Sequence, residues 1–145
     1  MIHPTAVIHP KAQVDPTAVV GPYAVIDEHV CIGPGCHIEA HARITGHTTM
    51  GANNRVHSGA VIGDAPQDLR YKGEPTRLRI GDNNIFREHV TIHCSNKLEE
   101  DTVIGSGNFF MAGSHVGHNC VVGNNNILAN GAVLGGHVIV ADRVF

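Results

Sequence analysis

The sequence predicts an all-β fold, a single-stranded left-handed parallel β-helix in which three six-residue segments form each triangular coil. The first observation behind this prediction is a bulky apolar residue that returns at every sixth position along most of the 145 residues. The second is a small residue two places before the apolar one, and the third is a glycine that often follows it. Because an α-helix repeats near 3.6 residues and a half-buried strand near 2, neither explains a period of six.

The apolar series runs unbroken from Ile2 to Ile62, fails at Asp68 and Glu74, and resumes at Ile80. Each apolar side chain is expected to point inward and to stack on its equivalent one coil later, at the usual strand spacing of about 4.8 Å. One coil is three such segments, so the chain length allows roughly seven coils. The members of the series are Ile2, Ile8, Val14, Val20, Ile26, Ile32, Ile38, Ile44, Met50, Val56, Ile62, Ile80, Phe86, Ile92, Leu98, Ile104, Phe110, Val116, Val122, Leu128, Leu134 and Val140.

The corners between strands are narrow and sharply turned. Runs such as 51–54 and 123–126, which are rich in Gly and Asn, are expected to adopt the positive φ angles that sharp corners require. The small residues expected to fill the corners are Ala6, Ala12, Ala18, Ala24, Cys36, Ala42, Ala60, Ser114, Cys120 and Ala132.

The composition argues against several classes of protein. Aromatic residues make up 4% of the chain and Trp is absent, so the core must consist of aliphatic and small side chains. The net charge of -3 comes from 13 acidic and 10 basic residues scattered along the chain, which argues against nucleic-acid binding. Neither a secretory signal nor an apolar run of ~20 residues is present, so we expect a cytoplasmic protein without membrane insertion. The four cysteines lack C-x-x-C pairs and are interpreted as reduced, apolar residues.

The chain is expected to form one β-helix domain over residues 1–145, with loop insertions near 64–79 and 95–103. A loop that leaves a rigid solenoid often carries binding residues, and we expect this of the first loop. The second is expected to be a solvated excursion. The repeat is still in register at Phe145, so we expect that a longer natural protein has been cut there.

Three of the 12 histidines form the candidate catalytic site. His118 and His137 lie one coil plus one residue apart, so they should face the same external groove, with His115 at the adjoining corner. An imidazole can remove a proton at physiological pH, so we expect His118 to act as a general base. The amide oxygen of Asn119 can accept a hydrogen bond from Nδ1–H of His118 and so fix the tautomer. An amide stabilises an imidazolium less than a carboxylate does. Substitution of Asn119 by Asp is therefore expected to raise the rate.

One segment of the first loop has a highly specific sequence. It reads QDLRYKGEPT from Gln67 to Thr76, and the segments IGD at 80–82, VTIH at 90–93 and HVGH at 115–118 follow it. Together these segments closely resemble the UDP-N-acetylglucosamine O-acyltransferase family that starts lipid A synthesis. The resemblance covers essentially the whole chain. Hexapeptide repeats alone are shared by many transferases, whereas the QDLRYKGEPT loop is specific.

The resemblance implies a homotrimer with active sites in grooves between subunits and no requirement for a metal or bound cofactor. It also implies transfer of an (R)-3-hydroxyacyl group from acyl carrier protein to the 3-hydroxyl of UDP-N-acetylglucosamine. The general base would be the second histidine of the H-x-x-H motif, His118. The positions that match substrate-binding residues of the family are Gln67, Asp68, Arg70, His115 and His137.

Several features depart from the pattern of the family. Asn119 stands where the family usually has Asp, and Arg70 stands where it usually has Lys. The segment 93–95, His-Cys-Ser, replaces a more typical His-Arg-Gly. The family's further C-terminal coils and helical domain, which contribute to nucleotide binding and acyl-length selection, are absent from the 145 residues, so the activity of this chain by itself is left open.

Three alternatives stay open. A zinc enzyme of the same fold would resemble the γ-type carbonic anhydrases, although that family needs a different histidine spacing. Its candidate ligands here are His89, His93, His115 and His118. A non-catalytic β-helix would bind neither UDP-N-acetylglucosamine nor acyl carrier protein. A sister acyltransferase that acts on the 2-amine of an acylated UDP-glucosamine normally carries an additional N-terminal domain.

Overall fold

The computed structural model describes residues 1–145 as twenty short strands with no helix. The strands form three parallel sheets. One sheet contains β1 (Val7–Ile8), β4 (Val25–Ile26), β7 (Arg43–Ile44), β10 (Val61–Asp64), β13 (Thr91–His93), β16 (His115–Val116) and β19 (Val133–Leu134). The second contains β2 (Gln13–Val14), β5 (Cys31–Ile32), β8 (His47–Met50), β11 (Arg77–Ile80), β14 (Thr102–Ile104), β17 (Val121–Val122) and β20 (Ile139–Val140). The third contains β3 (Val19–Val20), β6 (His37–Ile38), β9 (Arg55–Val56), β12 (Ile85–Phe86), β15 (Phe109–Phe110) and β18 (Ile127–Leu128).

The chain visits the three sheets in turn, so each strand pairs with the strand three places later in the sequence. The result is a left-handed parallel β-helix, which confirms the predicted fold class. The structure contains no helix with the length and apolarity needed to cross a membrane.

The apolar series forms the core of the column. Every member from Val20 to Leu128 is buried except Leu98, which is 50% exposed and lies in the second loop. Phe86 and Phe110 stack face to face inside the column, with ring centroids 5.0 Å apart. The period of six therefore predicted the interior correctly at every position that belongs to a strand.

The two insertions increase the number of sequence positions between stacked residues without changing the phase of the repeat. In a regular coil, stacked residues such as Val7 and Val25 lie 18 positions apart. Ile62 stacks on Ile92, 30 positions later, across the first insertion. Ile92 stacks on Val116, 24 positions later, across the second. The additional residues number twelve and six, both multiples of six, so the apolar series resumes in phase after each loop.

The excursions from the column are shorter than the predicted loops. The first runs over 65–76 between β10 and β11, and the second over 94–101 between β13 and β14. The predicted boundaries differ because residues at their edges continue the strand pairing, as Asp64 does with His93.

A ladder of asparagines occupies one corner of the column. The side-chain oxygen of Asn54 accepts hydrogen bonds from the backbone nitrogen and Nδ2 of Asn84, at 2.9 and 3.0 Å. Asn84 accepts the same two bonds from Asn108, at 2.9 and 3.1 Å, and Asn108 accepts one from the backbone of Asn126 at 2.9 Å. All four side chains are buried. Small residues were predicted at other corners of the column, and the ladder was not predicted.

Several corners adopt the left-handed backbone conformation. Asn53 and Asn125 have φ angles of 56° and 58°, as their turn sequences predict. His41, His89 and His137 also have positive φ angles, of 62°, 61° and 64°. Histidine is one of the few residues other than glycine that are enriched in this region. Part of the high histidine content therefore belongs to the corners.

Candidate active site

A cavity of about 240 Å³ lies on the face of the column that contains β13, β16 and β19. Its polar side chains are Gln67 from the first loop, His93 at the end of β13, His115 in β16 and His118 in the turn that follows. Residues 133–136 of the next coil complete the lining. The winding of the chain therefore brings three imidazoles and one amide together from separate parts of the sequence.

The imidazole of His118 is oriented by the side chain of Asn119. Asn119 Oδ1 lies 2.9 Å from His118 Nδ1 and 3.0 Å from the backbone nitrogen of Asn96. A backbone N–H can only donate, so the atom that faces both nitrogens is the amide oxygen. An oxygen opposite Nδ1 places the ring proton on Nδ1 and leaves a lone pair on Nε2. This is the tautomer that a general base at Nε2 requires.

Asn119 is itself fixed by its surroundings. It is 6% exposed and its backbone has a φ of 61°. The backbone N–H of Asn119 donates to Thr102 Oγ1 at 2.8 Å, and its Nδ2 donates to Glu100 Oε2 at 2.9 Å. The predicted contact between Asn119 and His118 is present, and a carboxylate that was not predicted binds the same amide.

Two further residues confine the ring of His118. The ring of His137 lies nearly perpendicular to it at 88°, with the centroids 5.2 Å apart, so the two histidines share one groove as their spacing predicts. Gly136 leaves room for the ring that a larger residue would not. A Cβ atom added at Gly136 would come within 2.6 Å of His118 Cε1.

His93 and His115 form a second pair of rings in the cavity. His115 Nδ1 lies 2.7 Å from Thr91 Oγ1, and the two rings pack edge to face with centroids 4.7 Å apart. His93 is 8% exposed, and its Nδ1 has no hydrogen-bond partner. Burial lowers the pKa of both rings, and the charge of His115 lowers the pKa of His93 further. The lowered pKa values favour the neutral form of both rings at physiological pH.

A second cavity, of about 250 Å³, lies between the two loops. Its lining residues are Asp68, Arg70, Tyr71, Asn96 and Lys97. Asp68 Oδ2 accepts a hydrogen bond from Asn96 Nδ2 at 2.8 Å, which joins the first loop to the second. Hydrogen bonds from the backbone and side chain of Arg70 hold the pKa of the Asp68 carboxyl well below its usual range. Asp68 is therefore a carboxylate throughout the pH range in which an imidazole titrates.

The structure separates the predicted site residues into neighbouring groups. Gln67 and His115 line the same cavity as His118, whereas Asp68 and Arg70 line the cavity between the loops. His137 contacts the ring of His118 without being part of either lining. The predicted residues thus occupy one region of the column.

The second loop is not the solvated excursion that the sequence analysis expected. Its residues Asn96 and Glu100 both bind the side chain of Asn119. His93 is a further site residue that was considered only as a zinc ligand. No periodic pattern in the sequence could have indicated Asn96 and Glu100, since both lie outside the repeat.

The four histidines considered as zinc ligands do not all lie at one site. His89 lies at an exposed corner beside Gly59, whereas His93, His115 and His118 line the first cavity. Within the chain, no group of three or more His, Cys, Asp or Glu side chains is arranged to hold a metal ion.

Comparison with known proteins identifies relatives of the chain. The family described as "Bacterial transferase hexapeptide (six repeats)" matches residues 5–40 and 101–136. The acyl-[acyl-carrier-protein]--UDP-N-acetylglucosamine O-acyltransferase of Thermodesulfovibrio yellowstonii is 48% identical over 145 residues, which are 99% of this chain and 56% of that relative. The protein of the same name from an Anaeromyxobacter species is 55% identical over 144 residues, again 99% and 56%. The chain belongs to the UDP-N-acetylglucosamine O-acyltransferase family.

A solved acyltransferase structure is also similar to the chain. The Francisella novicida UDP-N-acetylglucosamine acyltransferase has a TM-score of 0.95 and 40% identity, and the match covers 98% of this chain and 52% of that one. The chain spans about half the length of the O-acyltransferases that it matches. These relatives favour the acyltransferase interpretation over the zinc enzyme.

Proposed function

We propose that the chain carries the acyl-transfer site of an enzyme that moves an (R)-3-hydroxyacyl group from acyl carrier protein to the 3-hydroxyl of UDP-N-acetylglucosamine. The curated relatives bear the name of such an O-acyltransferase. The observation that carries the proposal is His118, a cavity-lining histidine whose ring is held in the Nδ1–H form by Asn119.

In the proposed reaction, Nε2 of His118 removes the proton from the sugar 3-hydroxyl while the oxygen attacks the thioester carbonyl. A carbon–oxygen bond forms, and the carbon–sulfur bond then breaks as the tetrahedral intermediate collapses. The imidazolium returns its proton to the leaving sulfur, which releases the carrier thiol and restores His118. The lowered pKa values of His93 and His115 favour their neutral forms at physiological pH, so these rings do not repel the imidazolium. All bonds are made and broken by these groups alone, so the proposed chemistry needs no metal or cofactor.

The proposed substrate-binding residues are Gln67, Asp68, Arg70, His115 and His137. Gln67 and His115 line the cavity of the proposed base, where they are placed to hydrogen-bond the sugar. The side chain of Arg70 is 88% exposed in the adjacent cavity between the loops. A guanidinium there suits the phosphates of the nucleotide or of the carrier's prosthetic arm.

We further propose that the working assembly is a homotrimer located in the cytoplasm. The cavity of His118 is open to solvent on one side, and the neighbouring His137 is exposed. The surface of a second subunit would close this side and exclude water from the thioester. A cytoplasmic location fits substrates that are a nucleotide sugar and a carrier-bound acyl group.

The proposal is tested by measuring acyl transfer from acyl carrier protein to UDP-N-acetylglucosamine with and without the base. His118→Ala is expected to lower the rate by about 10²- to 10⁴-fold, the usual contribution of a general base. His29→Ala is the control, because this half-exposed ring stacks on His47 and lines neither cavity. Wild-type rates in His118→Ala would contradict the proposal.

A further inference from the structure

A carboxylate stands behind the amide that orients His118. Glu100 Oε2 accepts a hydrogen bond from Asn119 Nδ2 at 2.9 Å, while Oδ1 of the same amide faces His118 Nδ1 at 2.9 Å. The three side chains form a continuous series of hydrogen bonds from carboxylate through amide to imidazole. Glu100 belongs to the second loop, where the repeat makes no demand for an acidic residue.

We infer that Glu100 is a positioning residue that supplies, through Asn119, the negative charge that the amide itself lacks. The inference rests on the proposed function of His118 as the general base. A carboxylate at Nδ2 polarises the amide and makes its oxygen a stronger acceptor for the Nδ1 proton. The imidazolium that forms during transfer is then stabilised by the amide oxygen and by the charge behind it.

Few other charges surround this series of hydrogen bonds. Lys97 Nζ lies 4.0 Å from the second carboxylate oxygen of Glu100, and both side chains are half exposed, so Lys97 screens Glu100 only in part. On the other side, the ring of His137 contacts the ring of His118, and His93, whose lowered pKa favours its neutral form, lines the same cavity. Glu100 is the carboxylate that is bound to the amide orienting His118.

The contact with Glu100 changes the expected effect of an aspartate at position 119. The second oxygen of the aspartate introduced at position 119 would face Glu100 Oε2. The 2.9 Å between these positions is now spanned by an N–H···O hydrogen bond. Two carboxylates at that distance repel, so one of them must take up a proton or move away. The sequence-based expectation that Asn119→Asp raises the rate is therefore revised. A gain is expected only when Glu100 is neutralised in the same chain.

The kinetic test uses Glu100→Gln, which keeps the size and an acceptor oxygen but removes the charge. We expect kcat to fall about 3- to 10-fold, the size of a partly exposed charge effect, with an unchanged KM for UDP-N-acetylglucosamine. The acidic limb of the pH–rate profile should move to lower pH, because the imidazolium loses a stabilising charge. Glu99→Gln is the matched control, since it removes the adjacent exposed charge. It should change neither kcat nor the acidic limb of the pH–rate profile.

The pairing of the two residues is tested by combining substitutions. Asn119→Asp together with Glu100→Gln should restore the wild-type rate or exceed it, because the charge then acts directly on His118. Asn119→Asp alone should remain slower than the double variant. Equal rates in these two variants would overturn the coupling between Glu100 and Asn119.

The closing experiment needs no turnover, so it separates this inference from the proposed function. The ¹⁵N signals of the His118 ring are followed across pH in the wild type, Glu100→Gln and Glu99→Gln. In Glu100→Gln, the His118 ring should lose its proton at lower pH than in the wild type and in Glu99→Gln. Coincident titration curves of the two variants would overturn the role of Glu100. A shifted curve in a chain that transfers no acyl group would support the inference and count against the proposed function alone.

Discussion

At the residue scale, the position of the His118 ring depends on its immediate contacts. Asn119 binds Nδ1, the ring of His137 crosses at 88°, and a Cβ at Gly136 would lie too close to Cε1 and Nε2 of the ring. A general base must hold its lone pair within hydrogen-bond reach of the proton it removes, and misplacement by about 1 Å can cost ~10²-fold in rate. Gly136 therefore contributes to positioning, although it has no functional group.

Gly136→Ala is expected to lower acyl transfer by at least about tenfold while the chain stays folded. The added Cβ would lie 2.6 Å from Cε1 and 2.7 Å from Nε2 of His118, so the ring must turn away from its place. Gly135→Ala is the matched comparison in the same turn, because it also adds a methyl group to the cavity lining but its Cβ meets nothing within 4 Å. Neither glycine has a positive φ, so the backbone accepts alanine at both positions. Equal rates for the two variants would show that the contact at Gly136 is unimportant.

The residues of the site differ in how far the sequence could predict them. The spacing of His118 and His137 placed them in one groove, because the length of a coil follows from the repeat. The bond between Glu100 and Asn119 could not be predicted, since Glu100 lies in an irregular excursion with no periodic relation to the strands. The burial of His93 likewise depends on how the loops return to the column.

At the scale of the element, the asparagine ladder fixes one corner of successive coils. Each asparagine inside the ladder accepts a hydrogen bond at Oδ1 from the next coil and donates one from Nδ2 to the previous coil. Asn84, for example, accepts from Asn108 and donates to Asn54. The Nδ2 of Asn84 also donates to the backbone oxygen of Gly105 at 2.8 Å. A buried polar group that loses its partner costs about 1–3 kcal/mol, so the ladder is stable only when it is complete.

Asn84→Ala is expected to lower the free energy of unfolding by about 3 kcal/mol, because it removes side-chain hydrogen bonds to partners in the two adjacent coils. Asn124→Ala is the control. Asn124 is exposed, its Oδ1 accepts one bond from the Ser106 backbone at 2.8 Å, and its loss should cost less than about 1 kcal/mol. Urea unfolding of the three proteins measures both changes. Equal stability of the two variants would contradict a special contribution from the ladder.

The strands were more predictable than their connections. The period of six located the inward residue of nearly every strand, because each strand must bury one side chain of limited size. The asparagine ladder was not predicted, since a buried polar side chain fits at a corner only if the next coil offers a partner. The loop boundaries were misplaced by a few residues, because residues such as Asp64 extend the pairing beyond the regular strand.

At the scale of the whole molecule, the column brings together groups that are far apart in the sequence. β13, β16 and β19 are consecutive neighbours in one sheet, so the residues that end them meet on one face. The two loops leave the column close to this face and are joined by the bond between Asp68 and Asn96. The proposed site is therefore formed by the winding and by both interruptions of it, and not by a single local motif.

A crystal structure of the chain with bound UDP-N-acetylglucosamine tests this arrangement most directly. We predict that the sugar occupies the cavity lined by Gln67 and His115, with its 3-hydroxyl about 3 Å from Nε2 of His118. A sugar bound on another face of the column, or bound in this cavity with its 3-hydroxyl turned away from Nε2, would contradict the assignment of His118 as the base.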